Sequence, residues 1–496
     1  MATGLQSWLL GSRLYNRTLG HSIKLTRSSP SRLWSNPITS YPDPNGFEYL
    51  NKLSSNPPSE TVHAIQNQIK EWLLLNNRWT KRIWTTELVS ERLTHWLTFY
   101  YLICNDGQGV IGKALAAAIN RHAHHLFRPR VITGHATHTL KTCRGMILAT
   151  IYLPDFFKRL EPALKILEEV IGTEILPDGG HVSRNPEKHL EAMSILIQVR
   201  QNMIEAKIEV PPFLQQAIDR MAPILKFFIM GDNQLAQFNG GSTNNPDTIK
   251  QVFELSGSEA QTASSAPHMG FHRLSAQRTR LIFDVGRPPN QGHAGTFSFE
   301  MSVGKNPLVV NCGSSVWQGQ LSSALKTTAA HSTVTVADTN SSDLRQDDFN
   351  LRRIQNLSVH RREIDGNILV EASHDGYLLK FGLVHERSLF LSNDGFDLRG
   401  EDALKAQTIT FQPFHIRFHL YPTVRVTLVE NRHSALLRLP TGRVWRLQIS
   451  EGELQLDESI YGSNGITQRT HQLVIKGQHV KQTTLVKWRL ARESEV

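Results

Sequence analysis

The sequence predicts an α+β chain in two parts, an all-helical first half and an antiparallel β second half, on three observations. Apolar residues recur at helical spacing over residues 42–228. From about Gly270 onward they recur instead in short runs at strand spacing, punctuated by Gly, Pro, Asn and Asp. Between the two, residues 232–267 are rich in Asn, Gly, Ser and Thr and hold neither period. A helix repeats every 3.6 residues and a half-buried strand every two, so a change of period marks a change of architecture. The expected organisation is a basic N-terminal segment (1–41), a helical domain (42–231), a linker or cleft loop (232–267) and a β-sandwich (268–496).

The first 40 residues are polar and basic, with Arg13, Arg17, Lys24, Arg27 and Arg32. The apolar patch Trp8-Leu9-Leu10 is too short for a secretory core and no charge precedes it, so no cleavable signal peptide is expected. The helical half opens with Ser59 as a cap before Val62, Ile65, Ile69, Trp72 and Leu73. Thr85 or Thr86 opens a second helix through Leu88, Arg92, Leu93, Trp96, Leu97 and Tyr100. Further helices are expected over 112–126, 138–152, 156–171, 189–204 and 212–228. Helices in series with short connections make a bundle or a toroid. Trp72, Trp79, Trp84 and Trp96 either fill the space between helices or stack on sugars at a cleft rim.

In the second half, strands are expected at 281–283, 297–303, 308–310, 334–336, 409–411, 416–420, 424–428, 436–439, 444–449 and 485–488. Short strands parted by turn residues imply an antiparallel sandwich. Neither a βαβ alternation nor a phosphate-binding glycine loop appears, so no nucleotide cofactor is expected. The 54 Lys and Arg against 44 Asp and Glu give a net charge of +10, which concentrates polyanions near the surface. Nucleic acid, acidic polysaccharide and anionic membrane all fit that charge, but no nucleic-acid recognition motif accompanies it. Cys104, Cys143 and Cys312 are scattered and odd in number, so neither a disulfide framework nor a zinc ribbon is indicated. No apolar run reaches the ~20 residues that span a bilayer.

The local motifs carry more. Gly292-His293-Ala294-Gly295-Thr296-Phe297-Ser298-Phe299-Glu300 is followed by Leu308-Val309-Val310-Asn311-Cys312-Gly313 and then Thr327-Thr328-Ala329-Ala330-His331-Ser332-Thr333. That order resembles the signature of the heparinase II/III family, in a bacterial branch. His374-Asp375-Gly376-Tyr377, Arg399-Gly400-Glu401-Asp402, Leu176-Pro177-Asp178-Gly179-Gly180-His181 and Leu235-Ala236-Gln237-Phe238-Asn239-Gly240-Gly241 are similar as well. The resemblance covers roughly residues 45–490 and implies an (α/α) toroid joined to a β-sandwich.

It also implies a polysaccharide lyase, a carbon–oxygen lyase that cleaves a uronic-acid-containing acidic glycan by β-elimination. Such chemistry needs donors that neutralise the uronate carboxylate, a base for the C5 proton and an acid for the departing oxygen. By resemblance, Asn185 grips the carboxylate with Arg184 beside it, and His189 follows one helical turn on. Tyr377 is either a substitute for the family's catalytic phenol or a phenol packed at a turn, since no tyrosine lies between Tyr152 and Tyr377. His181, Asn239 and Gln291 are further substrate contacts. His135 and His138 join them as residues just before a helix whose N-terminus favours an anion. His293, Asn311 and His331 stand where the family places a structural zinc. Two departures bear on this set. Asn311 replaces an aspartate and is a poorer metal ligand, and Gln291 replaces a histidine and cannot shuttle a proton.

Gln291 and the missing loop tyrosine motivate an alternative function, a non-catalytic glycan-binding or cell-envelope glycan-assembly protein on the same scaffold. Hydrolysis would need a carboxylate pair across a cleft, for which Glu187 and Asp178 are the candidates near the motif. The resemblance points to the cell envelope or periplasm, and the N-terminus without a secretory core points to the cytoplasm.

Overall fold

The structure, a computed structural model, describes residues 43–54, 56–76, 78–104, 109–128, 139–290, 292–314, 320–344, 352–429 and 431–493. His135, His138 and Gln291, three of the expected substrate contacts, lie outside the described residues. Two compact units emerge. One comprises the described residues up to Ile175 with Glu191–Asp219 and Lys250–Ser258; the other comprises Leu176–Leu190, Arg220–Ile249 and the chain from Glu259 onward.

A helical N-terminal region precedes antiparallel sheets. The longer helices are α1 (Ser59–Leu75), α2 (Thr86–Cys104), α3 (Val110–Leu126), α4 (Leu140–Tyr152), α5 (Leu160–Glu174), α6 (Pro186–Glu205), α7 (Pro212–Phe228) and α8 (Pro246–Ser256). Ser59 is not the cap of α1. Pro58 takes that place in an extended conformation and offers no side-chain acceptor, so Ser59 is already helical. Thr85 does cap α2, its hydroxyl accepting the N–H of Leu88 at 3.3 Å. Helix α4 starts two residues later than its apolar pattern suggests because Thr139 caps it, accepting from Thr142. Ahead of α5 the chain makes a separate 3-10 turn over Pro154–Arg159. The stretch read as a linker, 232–267, holds all of α8.

Of the four tryptophans Trp72, Trp79, Trp84 and Trp96, the last two are buried in the core and the first two are half-buried. Trp72 and Trp96 meet edge to face at 5.5 Å, and Trp84 lies 4.6 Å from the His122 ring. Arg92 runs among them, fully buried, with its guanidinium 4.8 Å above Trp72. It donates to His122 Nε2, the Asn45 carbonyl and the Ile83 carbonyl. Buried charge is tolerated where every donor finds an acceptor, and here three do.

The second unit is built on two antiparallel sheets. The first runs in the order β1 (Ser265–Ala266), β2 (Phe271–Ala276), β3 (Thr279–Asp284), β4 (Phe299–Val303), β5 (Asn306–Val310), β11 (Gln412–Leu420), β16 (Ile466–His479) and β15 (Glu453–Ser463), with β6 (Val334–Val336) also paired to β11. The second runs β12 (Arg425–Leu428), β13 (Ser434–Arg438), β14 (Val444–Ile449), β17 (Thr483–Arg492), β10 (Asp397–Ala406), β9 (Leu383–Leu391), β8 (Asn367–Tyr377) and β7 (Leu357–Ile364). One apolar cluster draws on both sheets and makes them a sandwich. Phe299 of the first sheet stacks on Trp488 of the second at 5.8 Å and 8°. Two short helices, α9 (Gln320–Leu325) and α10 (Leu378–Phe381), decorate it.

Residues 409–411, expected as a strand, are not one. They lie in the connection that crosses from β10 in one sheet to β11 in the other, and no strand among the described residues pairs with them. Apolar alternation makes a strand only where a ladder partner exists.

Candidate functional site

The motif residues of Leu176–Leu190, Arg220–Ile249 and the sandwich all belong to the second unit, and the structure brings several of them together. At the start of α6, Asn185 is the cap: its Oδ1 accepts the N–H groups of Glu187 (2.8 Å) and Lys188 (3.1 Å). Its Nδ2 donates to the Asn239 carbonyl at 3.1 Å, and Asn239 Nδ2 donates back to the Arg184 carbonyl at 3.0 Å. Asn239 Oδ1 in turn accepts the N–H of His293 at 3.2 Å. Two asparagines thus clasp the His293 segment, in the connection ahead of β4, to the start of α6. Both Arg184 (φ 55°) and Asn239 (φ 52°) sit in the left-handed region, a conformation that asparagine tolerates and that clusters at functional sites when a larger side chain adopts it. Gly240 follows with φ 82°, a conformation that side-chain-bearing residues rarely adopt, and a Cβ there would sit tightly, 3.1 Å from His293 Nε2.

His293 and His331 meet at the centre. His331 Nδ1 lies 2.7 Å from the Thr327 carbonyl and therefore carries a proton, which leaves Nε2 as a lone pair. His293 Nδ1 lies 3.2 Å from that Nε2 and donates to it. By elimination His293 Nε2 is also a lone pair, and it accepts no hydrogen bond from a described residue. Burial pushes the His331 imidazole down to about 4. Burial, with His331 and Lys326 nearby, holds His293 well below its ordinary range. Both rings are neutral at pH 7. The same 3.2 Å would suit two ligands of one tetrahedral zinc, whose nitrogens at ~2.0–2.1 Å from the metal stand ~3.3 Å apart. Asn311 fits such a site less well. Its Nδ2 donates to the Gln237 carbonyl at 3.1 Å, and its Oδ1 accepts the N–H of Ser332 at 3.3 Å.

Other expected site residues are committed elsewhere. Arg184 is buried against Asp284, donating to its carboxylate and to the carbonyls of Met269, Gly270 and Arg287, with Phe271 4.8 Å beneath the guanidinium. His189 is fully buried, its Nε2 3.1 Å from the Met221 carbonyl, and burial with His181 nearby brings its pKa down to about 3. Tyr377, expected either as a catalytic phenol or as one packed at a turn, is packed: it is fully buried and donates to the Val334 carbonyl at 2.7 Å. Burial drives its pKa far above the ordinary tyrosine range. Neither His189 nor Tyr377 presents a proton-transferring atom to solvent. His181 is half-buried, and its Nδ1 accepts from Ser183, N–H at 3.2 Å and hydroxyl at 2.8 Å.

Two supports were not legible as site residues. Glu300 closes the His293 motif on β4, and its carboxyl accepts the N–H groups of Asn311 and Gln237, both at 3.0 Å. Burial, aided by Asp232, pushes its pKa up to about 8 against those two bonds. An acid within a strand of otherwise apolar and small residues was the signal. The second support is a relay. Gly376 N–H donates to His374 Nδ1 (3.0 Å), His374 Nε2 to His385 Nδ1 (3.2 Å), and His385 Nε2 to Asp402 (2.9 Å). Asp402 also takes Arg387 at 2.7 and 3.0 Å and the Trp488 N–H at 2.9 Å. Arg387 Nη1 then reaches the carbonyls of Phe297 (2.7 Å) and Ser332 (2.8 Å), the segments that carry His293 and His331.

Beside the Ala329–Ala330 segment lies an open cavity of about 890 Å³. Val424, Val426, Leu325 and Ile460 supply apolar lining; Arg425, Arg469 and His471 bring cationic or titratable groups.

Residues 259–489 match the heparinase II/III-like C-terminal domain. FtsZ-localized protein C of Caulobacter vibrioides is 27% identical over 475 residues, covering 90% of this chain and 81% of that protein. Among solved structures, heparinase III superposes with a TM-score of 0.71 at 12% identity, covering 90% of this chain and 76% of that one. Heparan sulfate lyase HepC from Pedobacter heparinus does so with a TM-score of 0.62 at 13% identity, covering 88% and 73%. At such identities the two superpositions establish the fold. It is therefore this part of the chain, residues 259–489, with the His293, Asn311 and His331 motifs in their expected order, that matches the heparinase II/III-like C-terminal domain.

Proposed function

We propose that the chain binds an acidic, uronate-containing glycan on a lyase scaffold without rapid β-elimination. The observation that carries this reading is the burial of Tyr377 and His189, with each side chain's polar contact a backbone carbonyl. Elimination needs an acid for the departing oxygen and a cation or amide for the carboxylate. Here the arginine of the motif, Arg184, is already neutralised by Asp284. Amides and neutral imidazoles around His293 suit hydrogen bonds to sugar hydroxyls, and Arg425 and Arg469 at the neighbouring cavity suit anionic substituents. The likeness to heparinase III and HepC, whose names denote lyases of such glycans, supports the ligand class.

Elimination is the second reading, favoured by the lone pair on His293 Nε2, which would take the C5 proton. One experiment separates them. The purified chain is offered a panel of uronate polysaccharides, with binding read by calorimetry and unsaturated product by ultraviolet absorbance. Binding without product supports the proposal. Product that disappears in His293→Ala establishes the lyase. A folded chain that binds none of the panel ends both. We also propose that zinc, if held, uses His293 Nδ1 and His331 Nε2 with Asn311 Oδ1 as a weak neutral donor; metal content of wild type against His331→Ala, by mass spectrometry, tests it. For location we propose the cell envelope. The name of the Caulobacter relative places that protein with FtsZ, so a fluorescent fusion should report whether this chain follows the division site or the whole periphery.

A further inference from the structure

One end of the sandwich presents bulky apolar side chains that its core does not cover. The register shows which connections meet there. Leu383, opening β9, pairs with Ala406, closing β10; the Ala406 N–H donates to the Gln482 carbonyl at 2.8 Å. Gln412, opening β11, pairs with His479, closing β16. Helix α10, residues 407–411 and residues 480–482 therefore lie at the same end. They are tied together again through Lys380, which donates to Thr339 Oγ1, and Ala337, whose N–H donates to the Pro413 carbonyl. From these connections project Leu379 (80% exposed), Phe411 (74%), Ile409 (56%) and Val480 (44%).

Charge accompanies them. Lys380 and Lys481 have no carboxylate partner among the described residues, while Lys405 is matched by Glu386. Asp338, the acid of the adjoining turn, lies 3.3 Å from His415 Nδ1. The remaining side chains of 407–411 and 480–482 are Gln and Thr. Exposed apolar side chains on separate connections, interleaved with lysines, make a mixed surface. Such a surface matches a fluid interface where apolar groups enter the acyl boundary and lysines stay at anionic headgroups. No helix among the described residues is long and apolar enough to cross a membrane.

We propose that this end of the sandwich docks on an anionic lipid surface, inserting Ile409 and Phe411, with Leu379 and Val480 beside them and Lys380 and Lys481 on headgroups. The proposal is independent of the glycan site. The full chain is sedimented with vesicles of phosphatidylethanolamine and phosphatidylglycerol, and with vesicles of phosphatidylcholine alone. Wild type should partition onto the anionic vesicles, more strongly at low salt. Ile409→Asp with Phe411→Asp should weaken partition by at least ~10-fold, as expected for losing one or two buried apolar side chains. Lys380→Glu with Lys481→Glu should remove most of the salt dependence. Because these side chains are exposed, circular dichroism melts of all variants should match wild type. Equal sedimentation with both vesicle types, or undiminished binding by the aspartate variant, overturns the proposal. So does lipid-free self-association that Phe411→Asp abolishes, which would assign the patch to a second copy of the chain.

Discussion

Replacing Glu300 by glutamine tests whether a buried carboxyl supports the candidate site at the expense of alkaline stability. Glu300 is 5% exposed, and its two oxygens accept from Asn311 and Gln237. Its pKa rises from an ordinary 4.5 to about 8. A group whose folded value is raised contributes stability that is whole below the unfolded pKa and is lost as pH climbs to the folded one. The rise is about 3.5 units, at ~1.4 kcal/mol each, so at most about 5 kcal/mol should drain away between about pH 4.5 and pH 8. Glutamine keeps the shape and one acceptor oxygen but turns an amide toward the other N–H, at a cost of ~1–3 kcal/mol. The variant should therefore be the less stable protein at pH 5 and the more stable at pH 9, with the two curves crossing about 1.4 units above 4.5, near pH 6, for a cost of ~2 kcal/mol. Urea melts followed by tryptophan fluorescence at several pH values would show this, because the difference between the two proteins cancels every other titration. Parallel pH profiles would refute the reasoning and place Glu300 in its charged form throughout.

Arg184→Met should cost ~3–5 kcal/mol in the same melts, since it strands Asp284 in the interior without its cation; adding Asp284→Asn should recover much of it. Tyr377→Phe should lose only the bond to the Val334 carbonyl, ~1 kcal/mol, and leave glycan binding and any turnover unchanged. With burial holding His331 at about 4 and His293 well below its ordinary range, calorimetric affinity for a uronate glycan should be flat from about pH 6 to 8. A steep gain on acidification across that window would mean that an imidazolium forms in the site.

The change of hydrophobic period near residue 230 disclosed the two architectures because helices and strands bury their apolar residues at different spacings. The motif order placed His293, Asn311 and His331 in one neighbourhood, and the structure brings His293 Nδ1 within 3.2 Å of His331 Nε2. What the pattern concealed was commitment. Nothing in the run from His374 to Tyr377 tells whether its phenol meets solvent or the Val334 carbonyl, because that depends on a strand some forty residues earlier in the chain. Arg184 likewise reads as a free cation until Asp284, a hundred residues on, is brought beside it. The connection over 407–411 misled for a related reason: Ile409 and Phe411 alternate as in a strand, but no ladder among the described residues runs alongside.

The hydrogen-bonded chain from His374 to Arg387 gives distant positions leverage over the imidazole pair. Since Arg387 grips the carbonyls of Phe297 and Ser332, tilting its guanidinium by a fraction of an ångström would swing both histidine-bearing segments together. A saturation screen for lost ligand recognition should therefore score hits at Asp402, His385 and Trp488 in the middle of the second sheet, as severe as substitutions among the side chains a sugar would touch.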